Sequence, residues 1–399
     1  MSLSDIKFDP IVIVGLARTP MAAFQGAFSA LTAPDLGAAA IKAALTESKV
    51  EAGDVEQVIM GCVLPAGLGQ APARQAGLKA GLTMTCEATT VNKMCGSAMQ
   101  AVILAHDTIK AGSAGIIVAG GMESMTGAPY VLPKARGGYR MGNGVMIDTM
   151  MHDGLTDAYD HKPMGVFADM VASEYQFTRE EQDAYAIESV NRARRAAKEG
   201  DFEREITNVV VPNRKGDITV STDAGPEGAR PEKIPNLRPV FTKDGTVTAA
   251  NASSINDGAA ALVMIRKSEA KKRGLKILAE IKAHAAHAHE PKYFTTAPVH
   301  AMNKCLQRAG WDAQSVDLWE INEAFAVVPM IAMRDMGLNH DKVNVNGGAC
   351  VLGHPIGASG ARILATLIAA MEKRGVTKGI ASLCIGGGEA TAIALEING

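Results

Sequence analysis

Aromatic side chains are scarce in this chain: Phe, Trp and Tyr make up 4 % of its 399 residues. Its core must therefore be built from aliphatic residues and Met, and 20 methionines with 41 glycines point to close packing and many tight turns. Excess charge is lacking too. A formal net charge of −2 gives no electrostatic footprint for nucleic acid or anionic lipid. The basic run Arg266-Lys267…Lys271-Lys272-Arg273 is interrupted by Ser268-Glu269-Ala270 and reads as a solvated helix face. No apolar run approaches the ~18 residues of a membrane span; residues 363–371 are among the longest. Residues 1–5 lack a basic start and an apolar core, and Glu396-Ile397-Asn398-Gly399 is not a peroxisomal tripeptide. A cytoplasmic protein is expected, with neither membrane nor nucleic acid as partner. Six cysteines without close pairs argue for reduced thiols.

What is present is a repeat. A helical pattern in Leu36-Gly-Ala-Ala-Ala-Ile-Lys-Ala-Ala-Leu45 leads through Gly53-Asp54-Val55 to the strand-like Val58-Ile59-Met60-Gly61. Late in the chain, Val299-His-Ala-Met-Asn-Lys-Cys-Leu306 leads through Gly310 to Leu318-Trp319-Glu320-Ile321. The next unit repeats as well. Val91-Asn92 precedes Cys95-Gly96-Ser97, a helix over 98–110, Gly112 and Ile116-Ile117-Val118-Ala119-Gly120-Gly121. Its counterpart is Val345-Asn346, an insertion carrying His354, a helix over 361–373, Gly375 and Ile380-Ala381-Ser382-Leu383-Cys384-Ile385-Gly386-Gly387. Strands alternating with amphipathic helices predict layered α/β domains with largely parallel sheets. Residues 1–121 with 249–275 read as the first unit and 276–399 as the second, opening on a strand at Lys276. Residues 122–248 have no copy, contain a long polar helix near 179–198, and read as an inserted lobe of the kind that covers a ligand.

Chemistry concentrates near strand ends. Cys95 sits between a strand and a helix, where unpaired N–H groups and the helix dipole favour thiolate. A free Cys is more often a buried hydrophobe, but the strand–turn–helix setting favours reactivity. His354 lies among glycines, before Pro355 and near the repeat counterpart of Cys95, so a pseudo-twofold axis could bring base to thiol. Cys384 reads as a core thiol or a functional one, and Gly386-Gly387-Gly388 as a plain turn or as bared amides for an oxyanion. The glycines are neither a Walker loop nor a Rossmann fingerprint. Asn322 reads equally as a helix N-cap or a site residue. The trio His284, His287 and His289 has metal-like spacing but extends a strand without a second cluster nearby, so no metal is expected.

Taken together, the motifs resemble the thiolase family over residues 11–397. Val91-Asn-Lys-Met-Cys95-Gly-Ser-Ala is similar to its acyl-accepting motif, Asn322-Glu-Ala-Phe-Ala to its Asn motif and Gly353-His354-Pro-Ile-Gly-Ala-Ser-Gly to its His motif. Cys384-Ile-Gly386-Gly resembles the second-cysteine motif, and Asn251-Ala-Ser253-Ser-Ile-Asn256-Asp-Gly258 a coenzyme A contact. The resemblance implies duplicated βαβαβαββ domains in α/β/α/β/α layers with an inserted loop domain. It implies an acetyl-CoA C-acetyltransferase or 3-ketoacyl-CoA thiolase that uses acyl-CoA and CoA as substrates, needs no other cofactor, and forms a homodimer or homotetramer. Cys95 would carry the acyl group, His354 would activate it, and Cys384 would move the α-carbon proton. Asn322, through a water, and His354 would bind one thioester oxygen; the amides of Cys95 and Gly386 would bind the other. Leu155, Met164, Ala249, Ser253 and Phe325 would line the pantetheine and acyl channel, with Arg230 at the nucleotide end. Two departures stand out: Pro163 precedes Met164-Gly165 where short-chain members commonly have His, and Lys233-Ile-Pro-Asn236 replaces a Ser-containing stretch.

Overall fold

The computed structural model describes residues 9–397; residues 1–5 and the Asn398-Gly399 pair used above lie outside that range. Strand β1 (Ile11–Arg18) is buried throughout and sends alternate side chains to opposite faces. Ile11 and Ile13 join one apolar cluster, Val12 and Val14 another. Helix α1 (Ala33–Ser48) covers the second face and starts at a capping box, with Thr32 and Asp35 satisfying each other's backbone N–H. Strands β2 (Gln57–Gly61), β3 (Glu87–Val91), β4 (Ile116–Ser124) and β5 (Asn256–Arg266) complete the first half of the sheet. In the second half are β6 (Ala279–Ala288), β7 (Leu318–Ile321), β8 (Lys378–Ile385) and β9 (Glu389–Glu396).

The strand path is β7-β8-β9-β6-β1-β5-β4-β2-β3. Read outward from the β1–β6 junction, the halves run β1-β5-β4-β2-β3 and β6-β9-β8-β7. An isolated parallel bridge from Trp319 to Val343 stands in the place of β3. The two orders match position for position, and the halves meet through antiparallel pairs Val12↔Glu280 and Ile13↔Ala279. A pseudo-twofold between β1 and β6 follows. The sheet is mixed rather than largely parallel: β2/β3, β2/β4 and β7/β8 are parallel, whereas the other pairings are antiparallel. The cause is the closing ββ unit of each half, which needs no crossover helix. Strand β6 also begins at Ala279, three residues after the expected opening, and β4 continues to Ser124, so the inserted lobe leaves the sheet later than expected.

Between the sheet halves lie α2 (Ser97–Ala111) and its repeat counterpart, a helix over Ser359–Arg374. Every residue of the latter from Ser359 to Met371 is buried, as expected of a helix enclosed on all sides. Met99 and Val102 of α2 share a cluster with Ile363 and Leu367 and with side chains from both halves of the sheet. The outer face of the second half is covered by a helix over Ala297–Ala309. The order of layers is therefore α/β/α/β/α. The lobe contributes α3 (Met164–Glu174) and α4 (Arg179–Lys198), the latter opening on a Thr178–Glu181 capping box. Two helices of the second half are labelled α5 (Ala297–Ala309) and α6 (Ser359–Arg374). No helix among the described residues is long and apolar enough to cross a membrane.

Candidate active site

Cys95 lies in the turn from β3 into α2. Met94 before it holds φ at +46°, a conformation that costs a non-glycine residue energy and makes a sharp elbow. Gly96 after it permits close approach, since a Cβ there would meet Ile385 Cδ1 at 2.3 Å. The elbow is thus pressed against the end of β8. Burial pushes the Cys95 thiol up to about 11, against the pull of the Gly386 amide and of its own amide. The expected bias toward thiolate is outweighed. At neutral pH this thiol needs a base.

His354 reaches the same region because its loop packs tightly on the first half. A Cβ on Gly121 would meet the Gly357 carbonyl oxygen at 2.0 Å, so only glycine in β4 admits the loop. The buried Glu123 carboxylate then pins it, accepting from the amides of Val63 (2.9 Å), Leu64 (3.1 Å) and Gly357 (2.8 Å). His354 Nδ1 lies 2.6 Å from Ser359 Oγ, and Ser359 donates its own proton to the Pro355 carbonyl at 2.9 Å. Ser359 can therefore only accept from the imidazole. This fixes the proton on Nδ1 and leaves Nε2 with the lone pair, the form a general base requires. Burial, helped by the Arg362 charge, lowers the His354 pKa to about 3, so the ring is neutral at rest.

Two predictions arise here. Ser359→Ala should slow acylation about ten- to a hundredfold, because orienting partners of a histidine carry effects of that size. Ser359→Thr, which keeps the hydroxyl, should recover most of the rate, and the imidazole 15N shifts should show mixed tautomers only in the alanine variant. The second concerns acid. Unfolded His354 binds a proton near its ordinary value, whereas the folded ring does so only near 3. Its stabilising contribution is therefore present above ~6.5 and lost as pH falls toward 3, amounting to about 2 kcal/mol by pH 5. In His354→Asn, urea unfolding should show an acid limb flatter by that amount.

Cys384 is the penultimate residue of β8 and is buried. Burial raises its pKa well above the ordinary thiol value, and the nearby Cys95 raises it further. The approach of Gly96 to Ile385, one residue beyond each cysteine, brings the two segments together. Gly386 follows in the turn to β9. A Cβ added there would meet only Met164, at 3.7 Å, so the fold leaves room for a side chain that the chain does not supply. Asn322 does not cap a helix: it continues β7, its N–H donating to Ser382, and the next helix starts at Val327. Its Nδ2 lies 3.4 Å from His354 Nδ1 and 3.5 Å from Nε2, while its buried Oδ1 has no partner among the described residues. The neighbouring Glu323 accepts from Tyr185 (2.9 Å), Ser189 (2.8 Å), Asn344 (2.9 Å) and the Cys350 amide (3.0 Å). Tyr185 and Ser189 belong to α4, so the lobe clamps the Asn322 turn from outside.

A cavity of about 870 Å³ opens in front of these groups, within the size range of small-molecule sites. Leu155, Met164, Ala249, Ser253, Phe325 and Arg230 all line it, as does His354. Cys95, Cys384 and Asn322 sit behind its inner wall. Cys95 packs on the cluster containing Met125 and Ile356, and Cys384 shares a cluster with Phe325; these three hydrophobic residues face the cavity. Lys233 and Arg230 are the cationic side chains among the described lining. Arg230 Nη1 donates to the carbonyls of Glu227, Gly228 and Ala229.

Residues 11–268 match the model of the thiolase N-terminal domain and residues 275–397 that of the thiolase C-terminal domain. The chain belongs to the thiolase family. An acetyl-CoA acetyltransferase of Cupriavidus necator is 51% identical over 388 residues, covering 97% of this chain and 99% of that protein. One from Saccharomyces pastorianus is 47% identical over 97% of this chain and 98% of its own length. Among solved structures, the thiolase Acat5 of Ascaris suum in complex with coenzyme A superposes with a TM-score of 0.92 at 41% identity. The acetyl-CoA acetyltransferase of Syntrophomonas wolfei gives 0.95 at 40%; each match covers 98% of this chain and 100% of the other. In this thiolase Glu123, which holds the Gly357 loop, had no sequence signal of its own, and Glu323 stood inside the Asn motif without an assigned role. Ser359 stood inside the His motif without an assigned role. Its spacing from His354, five residues with Pro355 between, becomes informative only once the turn is known.

Proposed function

We propose that this thiolase is an acetyl-CoA C-acetyltransferase, condensing two acetyl-CoA into acetoacetyl-CoA and CoA and running the reverse thiolysis. The observation that carries the reading is the packing of the Cys95 elbow against the end of the strand that carries Cys384, with His354 held by Ser359 at the cavity wall. Claisen chemistry needs an acyl acceptor that is also a good leaving group, and a separate base for a weakly acidic C–H. A decarboxylating synthase would need only the first.

In the first half-reaction Cys95 Sγ attacks the thioester carbonyl while His354 Nε2 takes the thiol proton. The oxyanion forms beside the amides of Cys95 and Gly386, and CoA leaves with the proton of Cys384. The Cys384 thiolate, strongly basic because it is buried, then removes an α-proton from the second acetyl-CoA. Its enolate oxygen is held by His354 and by a water on Asn322, whose unpartnered Oδ1 suits that role. The new C–C bond expels Cys95, which recovers its proton from His354. Pantetheine would run along Leu155, Met164, Ala249, Ser253 and Phe325, with Arg230 and Lys233 toward the phosphates. A homodimer or homotetramer working in the cytoplasm in fatty-acid metabolism completes the reading.

A specific feature favours a second reading, a broader-chain 3-ketoacyl-CoA thiolase: Pro163 precedes Met164 at the cavity wall where a His would narrow chemistry to short acyl groups. Thiolysis rates of 3-ketoacyl-CoA substrates of increasing length decide between them. A steep fall beyond four carbons is expected; a flat profile selects the second reading. CoA binding should also slow amide exchange over both 155–165 and 249–254. Protection confined to the latter would remove the lobe from the binding site.

A further inference from the structure

The trio His284, His287 and His289 breaks up in the folded chain. His284 turns to Asp107, its Nε2 lying 2.9 Å from a carboxylate oxygen that also meets His106 Nδ1 at 2.9 Å. His287 and His289, at the end of β6, are instead joined by His300 from the first turn of α5. The ring centroids of His287 and His300 lie 4.5 Å apart, those of His287 and His289 5.1 Å, and those of His289 and His300 5.6 Å. One ring nitrogen from each lies within 4.8 Å of the other two. The strand–helix packing, invisible in the spacing, supplies the third imidazole.

We propose that His287, His289 and His300 form a binding site for a divalent cation of the zinc class, outside the active site. Imidazole is a preferred ligand of zinc, cobalt and nickel, and three of them with a fourth position open to solvent make a complete donor set. Nitrogens bound to one tetrahedral zinc at about 2.1 Å stand ~3.4 Å apart. The nitrogens, already within 4.8 Å of one another, would draw together by side-chain rotation, and His300 is exposed.

The surroundings fit a ligating cluster. His289 Nε2 lies 2.9 Å from the Tyr293 carbonyl, which fixes its proton there and frees Nδ1, the arrangement that commonly orients a metal-bound histidine. Lys304 places its ammonium 3.0 Å from His287 Nδ1. A cation already occupies this lone pair, and a metal must displace it. The rival group around Asp107 is different in kind, because there both imidazoles are engaged by one carboxylate oxygen.

Occupancy would tie the end of β6 to the start of α5 and close the connection between them. The same connection carries Phe294, which packs on Phe325 of the cavity wall at 6.1 Å. The His289 amide also donates to the Gly388 carbonyl at 2.9 Å, in the turn that begins at Gly386. A metal here would therefore stiffen two elements bordering the site without touching a reacting atom.

The test is titration of the purified chain with Co²⁺, read in the visible spectrum, with Zn²⁺ as competitor. One equivalent should bind with d–d bands and no thiolate-to-cobalt charge-transfer band, which separates this site from Cys95 and Cys384. Mg²⁺ should not compete. His300→Asn and His287→Asn should each weaken binding at least about tenfold, His284→Asn should leave it unchanged, and Lys304→Gln should tighten it. Zn²⁺ should raise the thermal midpoint of the parent but not of His300→Asn, whose fold is checked by circular dichroism. Absence of stoichiometric binding, a thiolate band, or undiminished binding in His300→Asn overturns the proposal.

Discussion

Cys384→Ala is expected to take an acetyl group onto Cys95 from acetyl-CoA within about tenfold of the parent rate, yet to lose condensation by at least ~10³–10⁴-fold. General base catalysis commonly supplies ~10²–10⁴-fold, and the α-proton of a thioester is weakly acidic, so the upper end applies. Acylation suffers little because CoA departs readily as a thiolate without a proton donor. The same variant should fail to exchange the α-protons of bound acetyl-CoA with deuterated solvent. Cys384 is buried in the apolar cluster that contains Phe325, so the thermal midpoint serves as the control for lost packing. Condensation within tenfold of the parent would make Cys384 a core residue and favour a decarboxylating synthase.

His354→Ala should act one step earlier. With the Cys95 thiol pushed up to about 11, the thiolate is roughly 10⁻⁴ of the total at pH 7. Removing the base leaves acylation dependent on that fraction, and a loss of about 10³–10⁴-fold is expected. The defect should shrink about tenfold for each unit of rising pH, since hydroxide then does what His354 did. A parent enzyme with a built-in base should show no such slope above neutrality. A His354→Ala variant that acylates at the parent rate, or whose defect does not change with pH, would remove His354 from thiol activation.

Much of this architecture was legible beforehand because it was written twice. The helix before Leu318–Ile321 and the helix before Val58–Gly61 betrayed the duplication, and the duplication placed His354 opposite Cys95. The antiparallel strand pair that closes each half is harder to see: the run through Gly386-Gly387-Gly388 looks the same whether the next strand returns beside β8 or crosses over. The Cys95 elbow is legible in the sequence but its electrostatics are not, since a helix N-terminus is visible there and the burial that outweighs it is not. The supporting shell was out of reach for a related reason. Glu123 holds Gly357 across 234 residues of chain, and Tyr185 reaches Glu323 across 138. No local pattern announces such partners. His300 joined His287 and His289 in the same way, through the packing of α5 on β6.

The central claim is that Cys95 is the residue acylated, with Cys384 held apart for proton transfer. Incubation with acetyl-CoA alone, acid quench, proteolysis and peptide mass spectrometry measures this directly. One acetyl group per chain is expected, located on the peptide carrying Cys95 and absent from Cys95→Ser. An acetyl group on the Cys384 peptide, or none on either cysteine, would contradict it.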